Sequence, residues 1–146
     1  MNNSIQIRRA ANKDQSAVYR FICDLEDTAF DENLFGTYYI ENIHKSHNIY
    51  FVAEDIGNGR VIGYISCHGQ LLLHHLGLAY EIQEMYVDAA YRNRGIGKLL
   101  LNKLKVSLPT NCKSLEVTAQ NKRTETHSFY AANGFNHSHL KFTQSF

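Results

Sequence analysis

The sequence predicts an α+β fold in which a mixed central β-sheet is flanked by helices, and three observations carry that expectation. Strand-length runs arrive first as a hairpin around Gly57-Asn58-Gly59 and are later separated by helical segments. That order implies a sheet with both antiparallel and parallel neighbours. The 146 residues are 44% hydrophobic and 20% charged, enough to bury a core as a single domain over residues 1–146.

The elements follow in chain order. Residues 4–8 alternate apolar and polar and read as a strand. Asn12-Lys13-Asp14 supplies residues that start helices, and Ala17, Val18, Phe21, Ile22 and Leu25 then recur at helical spacing. A second helix is expected over 32–45 on Leu34, Tyr38, Ile40 and Ile43, with Gly36 as a weak point. Strands are expected at 49–54 and 61–67, joined by the glycine turn, and at 79–88. Residues 91–97 read as a loop ending in glycines. Leu99, Leu100, Leu104 and Val106 continue as a helix stopped by Pro109, the only proline. A strand at 115–118, a short helix at 124–133 with Gly134 as its cap, and a last strand at 135–142 complete the chain.

Composition excludes several functions. Fifteen Lys and Arg against fourteen Asp and Glu give a net charge of +1, which argues against bulk attraction to nucleic acid or an anionic membrane. The polar start shows no signal peptide, and no apolar run reaches the ~18–20 residues of a membrane span, so a cytoplasmic protein is expected. Cys23, Cys67 and Cys112 are odd in number and far apart, which argues against a disulfide framework or a thiolate zinc site. They read as core filler.

The most informative stretch is Met85-Tyr86-Val87 followed by Arg92-Asn93-Arg94-Gly95-Ile96-Gly97-Lys98 at the start of a helix. A helix start leaves backbone N–H groups without partners, and its dipole adds partial positive charge. Glycine removes the Cβ that would hold an oxyanion away from those amides. Arg92, Arg94 and Lys98 add formal charge at the same spot. A pyrophosphate is the expected ligand. The residue order is neither that of a Walker loop nor that of the dinucleotide fingerprint. The plain alternative is a glycine turn with solvated arginines.

Arg92-x-x-Gly95-x-Gly97 resembles the acetyl-CoA pyrophosphate motif of the GCN5-related N-acetyltransferases (GNAT), and Phe129-Tyr130-x-x-x-Gly134-Phe135 resembles that family's C-terminal signature. The order of elements matches as well. The resemblance implies the GNAT acyl-CoA acyltransferase fold, acetyl-CoA as co-substrate, a small-molecule amine as acceptor and direct transfer in a ternary complex. It implies that Met85, Tyr86, Val87, Arg92, Asn93, Arg94, Gly95, Ile96, Gly97 and Lys98 hold the cofactor. Family members often carry Asn seven residues before the Tyr of the Phe-Tyr pair, where it contacts the pantetheine arm. Here Arg123 stands at that place and Asn121 lies two residues earlier, which makes Asn121 the candidate for the same contact.

Within the family the chain most resembles the members that acetylate aminoalkylphosphonates, through His68-x-Gln70, Leu73-His74-His75, Glu81-Ile82-Gln83-Glu84, Lys122-Arg123 and His127-x-Phe129-Tyr130. That likeness makes Arg123, His127 and His75 candidate phosphonate contacts and implies assistance by a divalent cation, with no ligands assigned. A solvated polar helix face is the alternative for Arg123 and His127. His137 and His139 fall on one face of the expected last strand. His68 and His74, if the segment stays extended, lie about 20 Å apart and cannot share a metal. Many members of the family form dimers, which makes a homodimer the oligomer to look for.

Acetyl transfer needs a neutral amine, a polarised carbonyl and a departing thiolate. An alkylamine has a pKa of about 10.4, so roughly one molecule in a thousand is neutral at pH 7, and supplying that form costs about 4–5 kcal/mol without a base. Glu81 and Glu84 precede the loop on a strand. Simple alternation puts Glu81 on one face with Gln83 and Met85, and Glu84 on the other with Ile82 and Tyr86. Family resemblance places Glu81 near the acceptor amine, so Glu81 is the expected base, acting through a water, with Glu84 next in line. An ion-paired strand carboxylate is the alternative. Backbone amides at Met85 to Val87 would polarise the carbonyl. A thiol pKa of about 8.5 makes thiolate departure easy, and Tyr130 matches the family's general acid. Two rivals remain: transfer to another amine (a polyamine, an amino acid or a protein amine), and a CoA-binding sensor without catalysis.

Overall fold

The computed structural model describes residues 4–146, so the polar start at residues 1–3 lies outside it. Five strands form one sheet in the order β1-β2-β3-β4-β5. They are β1 (Ile5–Arg9), β2 (Asn48–Asp55), β3 (Arg60–Leu72), β4 (Gly77–Val87) and β5 (Cys112–Val117). Every neighbouring pair is antiparallel except β4 and β5, which run parallel. The sheet is mixed, as the order of elements implied.

Helices α1 (Gln15–Glu26) and α2 (Glu32–Ile43) cover one face, and α3 (Ile96–Ser107) and α4 (Thr124–Ala132) cover the other. Val18 and Phe21 of α1 meet Tyr39 of α2 and the sheet residues Tyr50, Val52 and Tyr64. The opposite core gathers Ile49, Phe51, Ile65, Cys67, Tyr80 and Ile82 under Leu100, Leu101 and Leu104 of α3. Asp31 caps α2 by accepting the Leu34 N–H at 2.7 Å. Gly36, the weak point of that helix, is where Gln15 of α1 lies against the backbone, so a Cβ there would collide with its amide. Asp14 is buried before α1. It accepts Arg8 at 2.8 Å and the Ala11 N–H at 2.7 Å, which tie the first helix to β1.

The helix expected on Leu99, Leu100, Leu104 and Val106 is present as α3. On α3 the buried stripe is Ile96, Leu100, Leu101 and Leu104, while Leu99 and Val106 face outward at 37% and 79% exposure. The helix begins at Ile96, and spacing from there selects those four. The last strand expected at 135–142 is corrected. Residues after α4 form no strand. Phe135 packs on Tyr130 with ring centroids 5.3 Å apart, but Leu140 and Phe142 are 80% and 89% exposed. Alternation would put Phe135 on one face and Leu140 and Phe142 on the other, so no single face of this segment can be buried. A groove of about 1030 Å³ separates the tail from the outer edge of β5.

Candidate active site

β4 and β5 pair from Leu78 opposite Cys112 to Ile82 opposite Val117, and there the ladder ends. β4 continues to Val87, pairing only with β3. The two strands therefore splay, and the open edge of β4 from Gln83 to Met85 faces a cavity of about 450 Å³. Its walls include Glu81, Glu84 and Met85 from β4, Thr118 beyond β5, and Arg123 and Tyr130 from the α4 region.

The glycine loop lies beside the end of β4. Asn93 and Gly95 take left-handed backbone angles, φ 63° and φ 77°, which glycine and asparagine adopt most readily. They turn the chain so that α3 starts at Ile96 with its first amides uncapped by any side chain. Gly97 sits under the Phe129 ring, where a Cβ would stand 3.6 Å away. Arg92 donates to the Val87 carbonyl at 2.8 Å, and its guanidinium lies 5.1 Å from the Tyr86 ring centroid. It buttresses the loop against the strand. Arg94 lies 5.1 Å from the Tyr91 ring, and Lys98 is exposed. Uncapped amides, cationic side chains and a bare backbone thus meet at the start of α3.

The carboxylates differ from the simple alternation. Ser66 pairs with Glu84 and Cys67 with Ile82, so Gln83 is an extra residue, a β-bulge in β4. The bulge resets the parity. Met85 joins Ile82 on the α3 side, and Glu81, opposite His68, shares the other face with Glu84, opposite Ser66. Glu81 accepts the Thr118 hydroxyl at 3.0 Å across the splay. Glu84 accepts the Ser66 hydroxyl and, at 3.3 Å, the Tyr64 hydroxyl, while its own N–H donates to Ser66 Oγ at 3.1 Å. Burial pushes the Glu84 carboxyl above its ordinary value, against the pull of those two hydroxyls. Next to it Tyr50 and His68 stack and meet at 2.6 Å. Burial lowers the His68 pKa. Sequence reasoning missed Ser66, Tyr64 and Thr118. Tyr64, Ser66 and His68 recur at every second residue of an otherwise apolar strand, which was a legible sign of a polar stripe.

Tyr130 is 7% exposed, and burial pushes its phenol up to about 12. Its hydroxyl makes no hydrogen bond to a described residue, yet no buried side-chain polar atom is left unpartnered. The hydroxyl therefore opens onto the cavity. Arg123 lines the same space and is held by the Leu25 carbonyl at 3.0 Å and Glu26 at 3.9 Å.

Three sequence candidates lie elsewhere. His127 is exposed and bonded to the Gln120 carbonyl at 2.7 Å. His75 sits in a single 3₁₀ turn, 4.0 Å from Glu116, and faces the outer groove, as does Asn121. His74 belongs to that turn rather than to an extended run, and its ring meets that of His75 with centroids 4.4 Å apart. His137 and His139 have no strand to share. Among the described residues no three or more His, Cys, Asp or Glu gather to hold a metal. The donors among the described residues do not fit a resident divalent cation. Cys67 is buried with its thiol pushed up to about 12, and neither Cys23 nor Cys112 reaches the cavity.

A mixed sheet splayed between its parallel strands beside an uncapped, glycine-led helix start fits a class, the acetyl-CoA-dependent N-acetyltransferases. The chain belongs to the acetyltransferase (GNAT) domain family, which it matches over residues 46–137. It is 32% identical over 141 residues to the aminoalkylphosphonate N-acetyltransferase of Salmonella typhimurium, covering 96% of this chain and 90% of that one. Its fold is similar to that of a transcriptional regulator from Bacillus halodurans (TM-score 0.87, 18% identity, 97% and 99% of the two chains). A possible acetyltransferase from Clostridium difficile is similar too (TM-score 0.83, 19% identity, 98% and 97%).

Proposed function

We propose that this enzyme transfers the acetyl group of acetyl-CoA directly to the primary amine of an aminoalkylphosphonate in a ternary complex. The observation that carries the reading is the splay itself, a cavity of about 450 Å³ between β4 and the α4 region with two carboxylates, Glu81 and Glu84, on one face of β4. The diphosphate rests on the first amides of α3 with Arg94 and Lys98 around it, and Asn93, Gly95, Ile96 and Gly97 shape the cradle. The pantetheine arm follows β4 along Met85, Tyr86 and Val87, and the backbone N–H groups of Met85 and Val87, which alternate away from β3, stabilise the developing oxyanion. Glu81 takes the amine proton through a water. One hydroxyl occupies it, whereas Glu84 is engaged by two. Tyr130 protonates the departing thiolate. No cysteine reaches the cavity, which supports transfer without an acetyl-enzyme.

The aminoalkylphosphonate follows the activity of the Salmonella relative, and Arg123 on the cavity wall is its candidate partner. A second reading has its own support. Glu26, Glu81, Glu84 and Glu125 line the cavity against Arg123 and Lys141 only, a balance that suits a cationic acceptor such as a polyamine. No described helix is long and apolar enough to cross a membrane. A cytoplasmic homodimer acting on small molecules, without nucleic-acid or membrane partners, fits this reading.

Thiol release from acetyl-CoA, followed with aminoalkylphosphonates, matched alkylamines and diamines, each with and without a chelator, tests it. Phosphonates are expected to give the highest kcat/KM. A preference for diamines would transfer the assignment to the second reading.

A further inference from the structure

The two readings turn on what balances four cavity carboxylates, and the C-terminal tail supplies the answer. Phe135 anchors the tail on Tyr130, and the chain beyond it returns to place Lys141 on the wall of the central cavity. Arg123, the other cation of that wall, is already held by Leu25 and Glu26. Lys141 makes no ion pair or hydrogen bond with a described residue. It is the cation left for a ligand. Removing it would leave Glu26, Glu81, Glu84 and Glu125 facing one engaged guanidinium, a cavity that repels anions.

We propose that Lys141 is the specificity-determining counter-charge of the acceptor site, selecting amines that carry an oxyanion at the end opposite the amine. The inference rests on the acetyl-transfer reading above and adds a residue to it. A long stem ending in a compact ammonium suits a phosphonate, a phosphate or a carboxylate alike, because it meets them as a point charge without a fixed fork. The amine end goes to Glu81 and Glu84, and the oxyanion end to Lys141 with Arg123 behind it. The same charge disfavours a diamine, whose second ammonium would meet Lys141.

The test compares Lys141→Met with the unaltered enzyme on four acceptors of equal chain length: an aminoalkylphosphonate, an amino acid, a plain alkylamine and a diamine. The preference for phosphonate over alkylamine, as a ratio of kcat/KM, is expected to fall about 10-fold, carried by KM rather than kcat. The preference for diamine over alkylamine is expected to rise. Lys141→Arg restores both. If the unaltered enzyme prefers phosphonate and Lys141→Met keeps that preference within two-fold, the role of Lys141 is overturned while the substrate reading stands. If the unaltered enzyme shows no preference for an oxyanion, both fall.

Discussion

Ser66 meets Glu84 twice: its hydroxyl donates to the carboxylate, and its oxygen accepts the Glu84 N–H at 3.1 Å. A buried hydroxyl thereby fixes both the backbone and the side chain of the residue just past the β4 bulge. The carboxyl is pushed up by burial and pulled back by Ser66 and Tyr64, and burial wins. A folded-state pKa above the unfolded value of about 4.3 means the protonated form stabilises the fold. That contribution is complete below about pH 4 and is lost as pH rises through the raised folded value. Glu84→Gln should therefore gain stability relative to the parent as pH goes from 4 to 7 in urea unfolding. A constant difference across that range would count against the shift. Ser66→Ala should cost about 1–3 kcal/mol and move the window to higher pH, because the lost hydrogen bond favoured the ionised form.

The two carboxylates separate in kinetics. Glu81→Gln should lower kcat about 100-fold or more. Glu84→Gln should cost less, since its carboxylate is engaged by Ser66 and Tyr64. Stopped assays across pH 6 to 9 with a saturating amine decide between them. Near-parental turnover of Glu81→Gln would hand the role to Glu84.

Much of this site was legible in the residues. The loop from Arg92 to Lys98 announced a helix start, and the structure places α3 at Ile96 behind a left-handed Gly95. Val18 and Phe21 announced the buried face of α1. The bulge at Gln83 was not legible, because one extra residue in a strand leaves the apolar pattern of β4 almost unaltered while swapping which side chains share a face. The absent last strand failed for a related reason. Its apolar residues exist, but their parity gives no common face, which the numbering of Phe135, Leu140 and Phe142 already contained. The alternation of Tyr64, Ser66 and His68 was legible as a polar stripe, but the partners of Ser66 and Thr118 lie far away in sequence and no local pattern encodes those contacts.

Gly95 holds φ at 77°, a conformation that costs an L-residue about 1–2 kcal/mol. Gly95→Ala should transmit that strain to the first amides of α3. Acetyl-CoA affinity by calorimetry should fall about 10-fold, while the KM of the amine moves little. An equal loss for amine and cofactor would mean the substitution disturbs the fold rather than the cradle.

Tyr130 has its phenol pushed up to about 12 by burial, so it keeps its proton throughout the working range and is able to give it to a departing thiolate. The help is of modest size because a thiol with a pKa of about 8.5 leaves readily by itself. Tyr130→Phe keeps the ring contacts with Phe129 and Phe135 and removes only the hydroxyl, which has no partner to strand among the described residues. Stability should therefore stay within about 0.5 kcal/mol. Turnover should drop about 10-fold with acetyl-CoA. It should drop less with an acyl donor whose leaving thiol is more acidic, since such a donor needs no proton at the moment of departure. Equal losses with both donors would place the Tyr130 hydroxyl outside the proton transfer and leave it a role in shaping the cavity wall.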